Sequence, residues 1–258
     1  MTALTIWTPE QSVRFGASVA GPAHREAALQ NQDAWTSGLF RTEDGTQVQF
    51  LAVCDGLGSR LQSREGARAA VRAARLAVRH WGTARQASPG QLIRLIELLW
   101  RLEVSPHDPQ ACATTCLVAA VQTRSGLSRV TVATLGDGLA AYRENGVVTT
   151  VGGRGDGYAN QTVALGIPHH MDAWATQIWE TEDSFSLILA TDGVADDLQP
   201  AALPTFLDWL DGVGQRAPRA RGPTLRRALE RWPVPGHSDD KTIAVLQMQR
   251  KKRNRGEE

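Results

Sequence analysis

The sequence predicts an α+β sandwich, with antiparallel sheets and helices packed outside them. Three observations lead there. Short apolar strand runs come in blocks, without the strict strand–helix alternation of a doubly wound parallel fold. Two longer segments carry apolar residues at three- and four-residue spacing, the mark of helices with one buried face. No linker divides the 258 residues, so one domain over residues 1–249 is expected, with a basic, disordered tail at 250–258.

The elements follow in order. Residues 13–19 and 33–40 read as strands, separated by a Gly21-Pro22 turn and a polar loop. Residues 48–54 form a denser strand that stops at Asp55-Gly56. A helix follows, because Ala67, Ala70, Val71, Ala74, Ala77, Val78 and Trp81 share one face. Arg64, Arg68, Arg72, Arg75 and Arg79 occupy its other face, a solvated stripe or, as the minority reading, a dock for an acidic partner. Residues 88–103 make a second helix, with Ser88 as its cap and Pro89 in its first turn. Strands are then expected at 115–122, 129–135, 139–143, 176–180 and 185–191, interrupted by a Gly-rich loop at 152–157. Residues 205–210 and 224–232 read as helices joined by a Gly/Pro/Arg-rich loop, and 242–248 as a closing strand.

Composition is ordinary for a soluble protein, with 42% hydrophobic and 21% charged residues. A net charge of +1 offers no global attraction for nucleic acid or a membrane. There is neither a signal-peptide pattern nor a run of about 20 apolar residues. A cytoplasmic location is the expectation. Cys54, Cys112 and Cys116 sit among apolar neighbours and read as buried thiols. The eight tryptophans are scattered and default to core packing.

The aspartates carry the chemistry. Asp-Gly is a favoured turn dipeptide, and that suffices for Asp44 and Asp211. Asp55, Asp137 and Asp192 differ, because each comes directly off an apolar strand run. Asp239-Asp240 precedes such a run, and Asp33 closes Asn31-Gln-Asp33 before another. If those strands share a sandwich, their carboxylates converge. Converging carboxylates repel one another and lose hydration, so they take up protons or cations. An all-oxygen set without a His/Cys group suits Mg²⁺ or Mn²⁺ better than Zn²⁺. A glycine after a ligand lets its own carbonyl approach a metal. Two such ions about 3.5–4 Å apart activate water and stabilise a transferred phosphoryl group. Phosphate-ester hydrolysis is the chemistry suggested.

The ordered set Asn31-Gln-Asp-Ala34, Leu51-Ala-Val-Cys-Asp-Gly-Leu-Gly58, Ala113-Thr-Thr115, Leu135-Gly-Asp-Gly-Leu-Ala-Ala-Tyr-Arg143, Leu189-Ala-Thr-Asp-Gly-Val-Ala-Asp196 and Asp239-Asp-Lys-Thr242 resembles the type 2C metal-dependent Ser/Thr protein phosphatases, in a divergent bacterial branch. The resemblance implies a four-layer αββα sandwich of two antiparallel sheets. It also implies a binuclear Mn²⁺ or Mg²⁺ site, with a possible third ion, where the sheets meet at one end. Carried over, Asp55 bridges both metals and the Gly56 carbonyl binds one. Asp192 and Asp239 complete the first ion's ligands, and Asp33 acts close by on the attacking water or a second ion. Asp137 matches the aspartate for a third ion. Residues 151–171 resemble the flap that shapes substrate access. The implied substrate is a phosphorylated protein, a Ser/Thr kinase or its target.

Departures from the family pattern are informative. Ala28 stands where an arginine commonly grips the substrate phosphate. Arg25 or His24, from a shifted loop, could take that place; the plain alternative is an exposed loop pair. Gly136-Asp-Gly-Leu139 lacks the usual serine and arginine, Leu57 replaces a histidine common in eukaryotic members, and Asp240 replaces an asparagine. Cys54 has no phosphate-cradling loop and reads as a strand thiol rather than a nucleophile. Asp196 reads as a helix-start carboxylate, and His169-His170 as an exposed part of the flap. Two other functions remain open at this point: a catalytically weak or inactive relative that binds phosphoproteins as a regulator, and a hydrolase for a small phosphate ester.

Overall fold

A computed structural model describes residues 11–84, 87–152 and 163–250 of the chain. Two five-stranded sheets form its centre. The first runs β1 (Gln11–Val19), β10 (Lys241–Gln249), β9 (Phe185–Ala190), β6 (Leu139–Glu144) and β7 (Val147–Val151). The second runs β2 (Asp33–Arg41), β3 (Gln47–Asp55), β4 (Cys116–Arg124), β5 (Leu127–Leu135) and β8 (Ala175–Thr181). Every pairing between neighbours in these orders is antiparallel.

Strand alternation builds the layers. On β3, Leu51 and Val53 point between the sheets, where they meet Leu117, Val132, Leu187, Leu189 and Leu246. Phe50, Ala52 and Cys54 point the other way, as a two-residue side-chain period requires. They pack against α2 (Ser63–Trp81) and α3 (Pro89–Val104). The small face of α2, with Ala67, Ala70, Ala74 and Ala77 fully buried, lies directly on this sheet. On the opposite side α5 (Leu203–Gly214) and α6 (Pro218–Glu230) cover the first sheet through Leu207, Leu210, Leu225 and Leu229. The architecture is therefore the expected αββα sandwich. Ser88 caps α3 with a reciprocal bond pair to Gln91, and Pro89 opens it, as read from the sequence.

Several local readings need correction. The Gly/Pro/Arg-rich stretch expected to be a loop belongs to α5 and α6, because Pro218 occupies the first helical position, where a missing N–H breaks no bond. Asp211 accordingly lies in α5 and not in a turn. Strand β7 and two short helices, α1 (Pro22–Glu26) and α4 (Asp192–Ala195), were not expected. Asp44 does sit in a turn, accepting from Thr42 Oγ1 and the Thr46 N–H. The Gly-rich loop beyond Gly152, residues 160–162 of the flap and the tail after Arg250 lie outside the described residues. No described helix is long and apolar enough to cross a membrane.

Candidate metal centre

The aspartates meet because of strand register. Asp33 opens β2, Asp55 closes β3, and the two are direct cross-strand partners. In the other sheet β9 ends at Ala190, paired with Ile243 of β10. Asp192 thus leaves one strand beside the point where Asp239 enters the next. Asp137 sits in the connection from β5 to β6.

Glycines let these segments approach. A Cβ on Gly193 would lie 2.0 Å from the Asp240 carbonyl oxygen, and one on Gly56 would lie 2.4 Å from the Ser63 carbonyl oxygen. Both glycines admit a neighbouring backbone. The Asp55 backbone is fixed on both sides: its N–H donates to Thr115 Oγ1 at 2.9 Å, and its carbonyl accepts from Thr114 Oγ1 at 2.7 Å and the Thr115 N–H at 2.8 Å. The Ala113-Thr-Thr115 motif is therefore a clamp on Asp55.

Burial and mutual repulsion dominate the electrostatics. Burial, with Asp240 and Asp192 nearby, pushes the Asp33 carboxyl up to about 8 despite the bond from Thr191. Burial, then Asp33 and Asp192, pushes Asp55 well above the carboxylate range. Burial, then Asp239 and Asp137, takes Asp192 to about 6, against a bond to Asp55 that favours its charged form. Among the described residues no lysine or arginine forms an ion pair with Asp33, Asp55, Asp192 or Asp239. Lys241 lies close and 1% exposed, but its Nζ donates to the Asp239 backbone carbonyl at 3.3 Å.

These residues fit a hard divalent cation. Thr191 Oγ1 donates to Asp33 Oδ2 at 2.9 Å, while Asp33 Oδ1 is buried without a partner, an arrangement that is costly unless something positive faces it. Among the described residues no three such side chains stand close enough together to enclose an ion. Asp55 and Asp192 interact closely enough to favour a shared proton, and its loss frees both carboxylates as oxygen donors.

A cavity of about 590 Å³ opens over the cluster, lined by Asp55, Gly56, Asp137, Asp192 and Asp239 among others. His24 lines it too, with Nδ1 2.8 Å from Asp240 Oδ1. Arg25 stands exposed on α1 and is not among the lining residues. The flap returns over the site: Leu165 exchanges backbone bonds with Thr114, and Ile167 reaches the cavity. His169 is not an exposed flap residue, because its Nε2 lies 3.0 Å from Glu97 on α3 and its side chain is 12% exposed. Asp196 caps the end of α4 and not its start. Burial pushes the Cys54 thiol up, which suits an inert strand residue.

The partners of Asp240, which the sequence marked only as replacing an asparagine, and the place of Arg60 escaped the sequence reading. Asp240 is 2% exposed and holds the segment before β2 through bonds from the Gly21 N–H (2.7 Å), His24 and the Gln32 N–H (2.6 Å). Its only signal was the second carboxylate of Asp239-Asp240. Arg60 also lines the cavity, and its place five positions after Asp55 was the available signal.

Comparison with known proteins agrees with this geometry. A sequence profile described as Protein phosphatase 2C matches residues 20–232. Comparison with curated protein sequences finds no match. Among solved structures, PppA of Pseudomonas aeruginosa superimposes with a TM-score of 0.61 at 19% identity, over 94% of this chain and 99% of that one. The phosphatase domain of SpoIIE from Bacillus subtilis, with a fragment of its regulatory domain, gives 0.58 at 13% identity over 94% of this chain; the alignment spans 64% of that chain. RsbX in complex with magnesium gives 0.57 at 13% identity, over 93% and 96%. At these identities the likeness is one of fold, and the profile match carries the family: the chain belongs to the protein phosphatase 2C family.

Proposed function

We propose that this protein hydrolyses phosphoserine and phosphothreonine on a protein partner, opposing a Ser/Thr kinase in the cytoplasm, with two Mn²⁺ or Mg²⁺ ions as cofactors. The observation that carries the reading is the convergence of Asp33, Asp55, Asp192 and Asp239 with no basic ion-pair partner among the described residues. Asp55, the Gly56 carbonyl, Asp192 and Asp239 would hold the ions, and Asp137 a third. When bound, such ions lower the pKa of a water molecule and offset phosphoryl charge. Magnesium in the structurally similar RsbX supports the choice of cation.

The chain's own residues supply position and proton handling. Thr191 fixes Asp33 through Oδ2, which leaves Oδ1 to orient the attacking water and take its proton. Thr114 and Thr115 lock the Asp55 backbone, so its carboxylate needs little reorganisation. Asp240 holds His24 at the cavity mouth. The test is phosphate release from phosphothreonine and phosphoserine peptides with Mn²⁺ or Mg²⁺. Turnover abolished by Asp55→Ala is expected, and an inactive wild type with both metals would remove the reading.

Ala28 and the Gly136-Asp-Gly138 motif favour a second reading, a phosphoprotein-binding regulator without turnover. It predicts partner binding that survives Asp192→Asn. A small phosphate ester as substrate would require free metabolites to be turned over as well as peptides.

A further inference from the structure

Arg60 is the only lysine or arginine among the described residues lining the 590 Å³ cavity, whose other ionisable walls are Asp55, Asp137, Asp192, Asp239 and His24. Its position is built by the turn after Asp55-Gly56. The Arg60 N–H donates to the Leu57 carbonyl at 2.9 Å, and its own carbonyl accepts from the Ser63 N–H at 3.4 Å, at the start of α2. Hydropathy is inverted across the next bond. Leu61 is 95% exposed, whereas the Arg60 Nε is buried with no hydrogen-bond partner. Among the described residues no carboxylate forms an ion pair with Arg60 either.

A half-buried arginine with an enclosed, unpartnered Nε beside a leucine that faces solvent is unfavourable in the free protein. A buried N–H without an acceptor costs about 1–3 kcal/mol. An oxyanion in the cavity lowers that cost once the guanidinium turns toward it. The guanidinium fork matches two oxygens of a phosphoryl group, which a single ammonium charge does not. An acidic cavity also repels a phosphate dianion unless fixed positive charge faces it.

We propose that Arg60 grips the substrate phosphoryl group, in the role for which the sequence offered Arg25 or His24. The proposal rests on the phosphatase reading above. Ala28 then marks a relocation of the phosphate contact from the loop before β2 to the turn after β3.

The test compares Arg60→Ala and Arg60→Lys with the wild type, all loaded with Mn²⁺. Inorganic phosphate binding is followed by calorimetry, and KM and kcat are measured on a phosphothreonine peptide. Loss of a charge-assisted, bidentate contact should raise the phosphate Kd and the peptide KM roughly 10–100-fold in Arg60→Ala. The Mn²⁺ affinity should change less than about twofold, and lysine should recover only part of the loss. Unchanged phosphate Kd and KM in Arg60→Ala would overturn the proposal. So would a loss of the same size in Arg25→Ala with Arg60→Ala unaffected. Arg60→Lys keeps charge and bulk, so it answers the question if the alanine variant does not fold. Phosphate binding that depends on Arg60 in a protein that hydrolyses no peptide would support the grip while removing the phosphatase reading. A wild type that neither binds phosphate nor hydrolyses peptide would remove both.

Discussion

Strands β9 and β10 carry an aspartate site at each end, and the two ends are built in opposite ways. At one end Asp211 of α5 accepts from Ser186 Oγ at 2.6 Å and Gln247 Nε2 at 2.8 Å and forms an ion pair with Arg143. These three partners are donors or a cation, and Arg143 also holds Asp208. At the other end Asp192 faces Asp55, Asp239 and Asp137, and its backbone bond from Gly193 N–H at 2.6 Å offsets little of that crowding. Both residues belong to an Asp-Gly dipeptide. The difference teaches that the dipeptide says nothing about function. What separates a structural carboxylate from a chemical one is whether the protein has already compensated its charge.

The sharpest way to break that comparison is to neutralise each aspartate in turn. Asp192→Asn should lower phosphopeptide turnover about 100-fold or more, the scale of losing a group that supports a metal site. Asp211→Asn should leave kcat/KM within about twofold and instead lower stability by about 1–2 kcal/mol, discounted because the pair is partly exposed. At this chain length that is a Tm shift of about 2–8 °C. Steady-state kinetics and thermal melts on the two variants separate the effects, and equal activity losses would show that the two ends are not different in kind.

Next in size is the response to pH. Asp33 and Asp192 have folded-state values raised to about 8 and about 6. Their ordinary range lies near 4, so between those limits the folded protein binds more protons than the unfolded chain. Stability is therefore full in acid and is lost as pH rises through 6 and then 8. The metal-free protein should lose about 5 kcal/mol between pH 5 and pH 8.5. Mn²⁺ or Mg²⁺ should restore it most strongly at the alkaline end, because cations replace the protons. Thermal melts across pH with and without metal check this; stability rising toward pH 8.5 without metal would contradict the uncompensated cluster.

The sequence was most legible where one period governed a whole element. The alanine face of α2, the strand runs of β3, β5 and β9, and the Ser88 cap were readable because burial on one face imposes its own spacing. It was least legible where a distant segment decides the outcome. Asp211 looked like a turn residue because Asp-Gly favours turns, but the packing of Leu207, Leu210 and Val213 on the first sheet carries the helix through it. The aspartates of the site were legible one by one through their place after apolar runs. Their pairing across strands depends on register, such as Asp33 opposite Asp55, which no local pattern contains. Arg60 was missed for a different reason: a local turn bonded to Leu57 and Ser63 places it, and its polar sequence reads as exposed loop.

The smallest expected effects compare the two glycines that follow these aspartates. A methyl group on Gly193 would collide with the Asp240 carbonyl oxygen, 2.0 Å away, and would press on Asp239 Cβ at 3.3 Å. Gly193→Ala should therefore cost about 2 kcal/mol, within the range of overpacking, and should separate Asp192 from Asp239. Gly212 is its counterpart after Asp211. It lies inside α5 with nothing within 4 Å of an added Cβ. There alanine only restricts the unfolded chain and favours the helix, so Gly212→Ala should stabilise by about 0.5 kcal/mol. Opposite signs in denaturant unfolding would mark one glycine as an admission point for backbone at the carboxylate cluster and the other as an unused vacancy in a helix. A destabilised Gly212→Ala would mean that the Asp211 end is as tightly closed as the other, and the contrast between the two ends would then rest on charge alone.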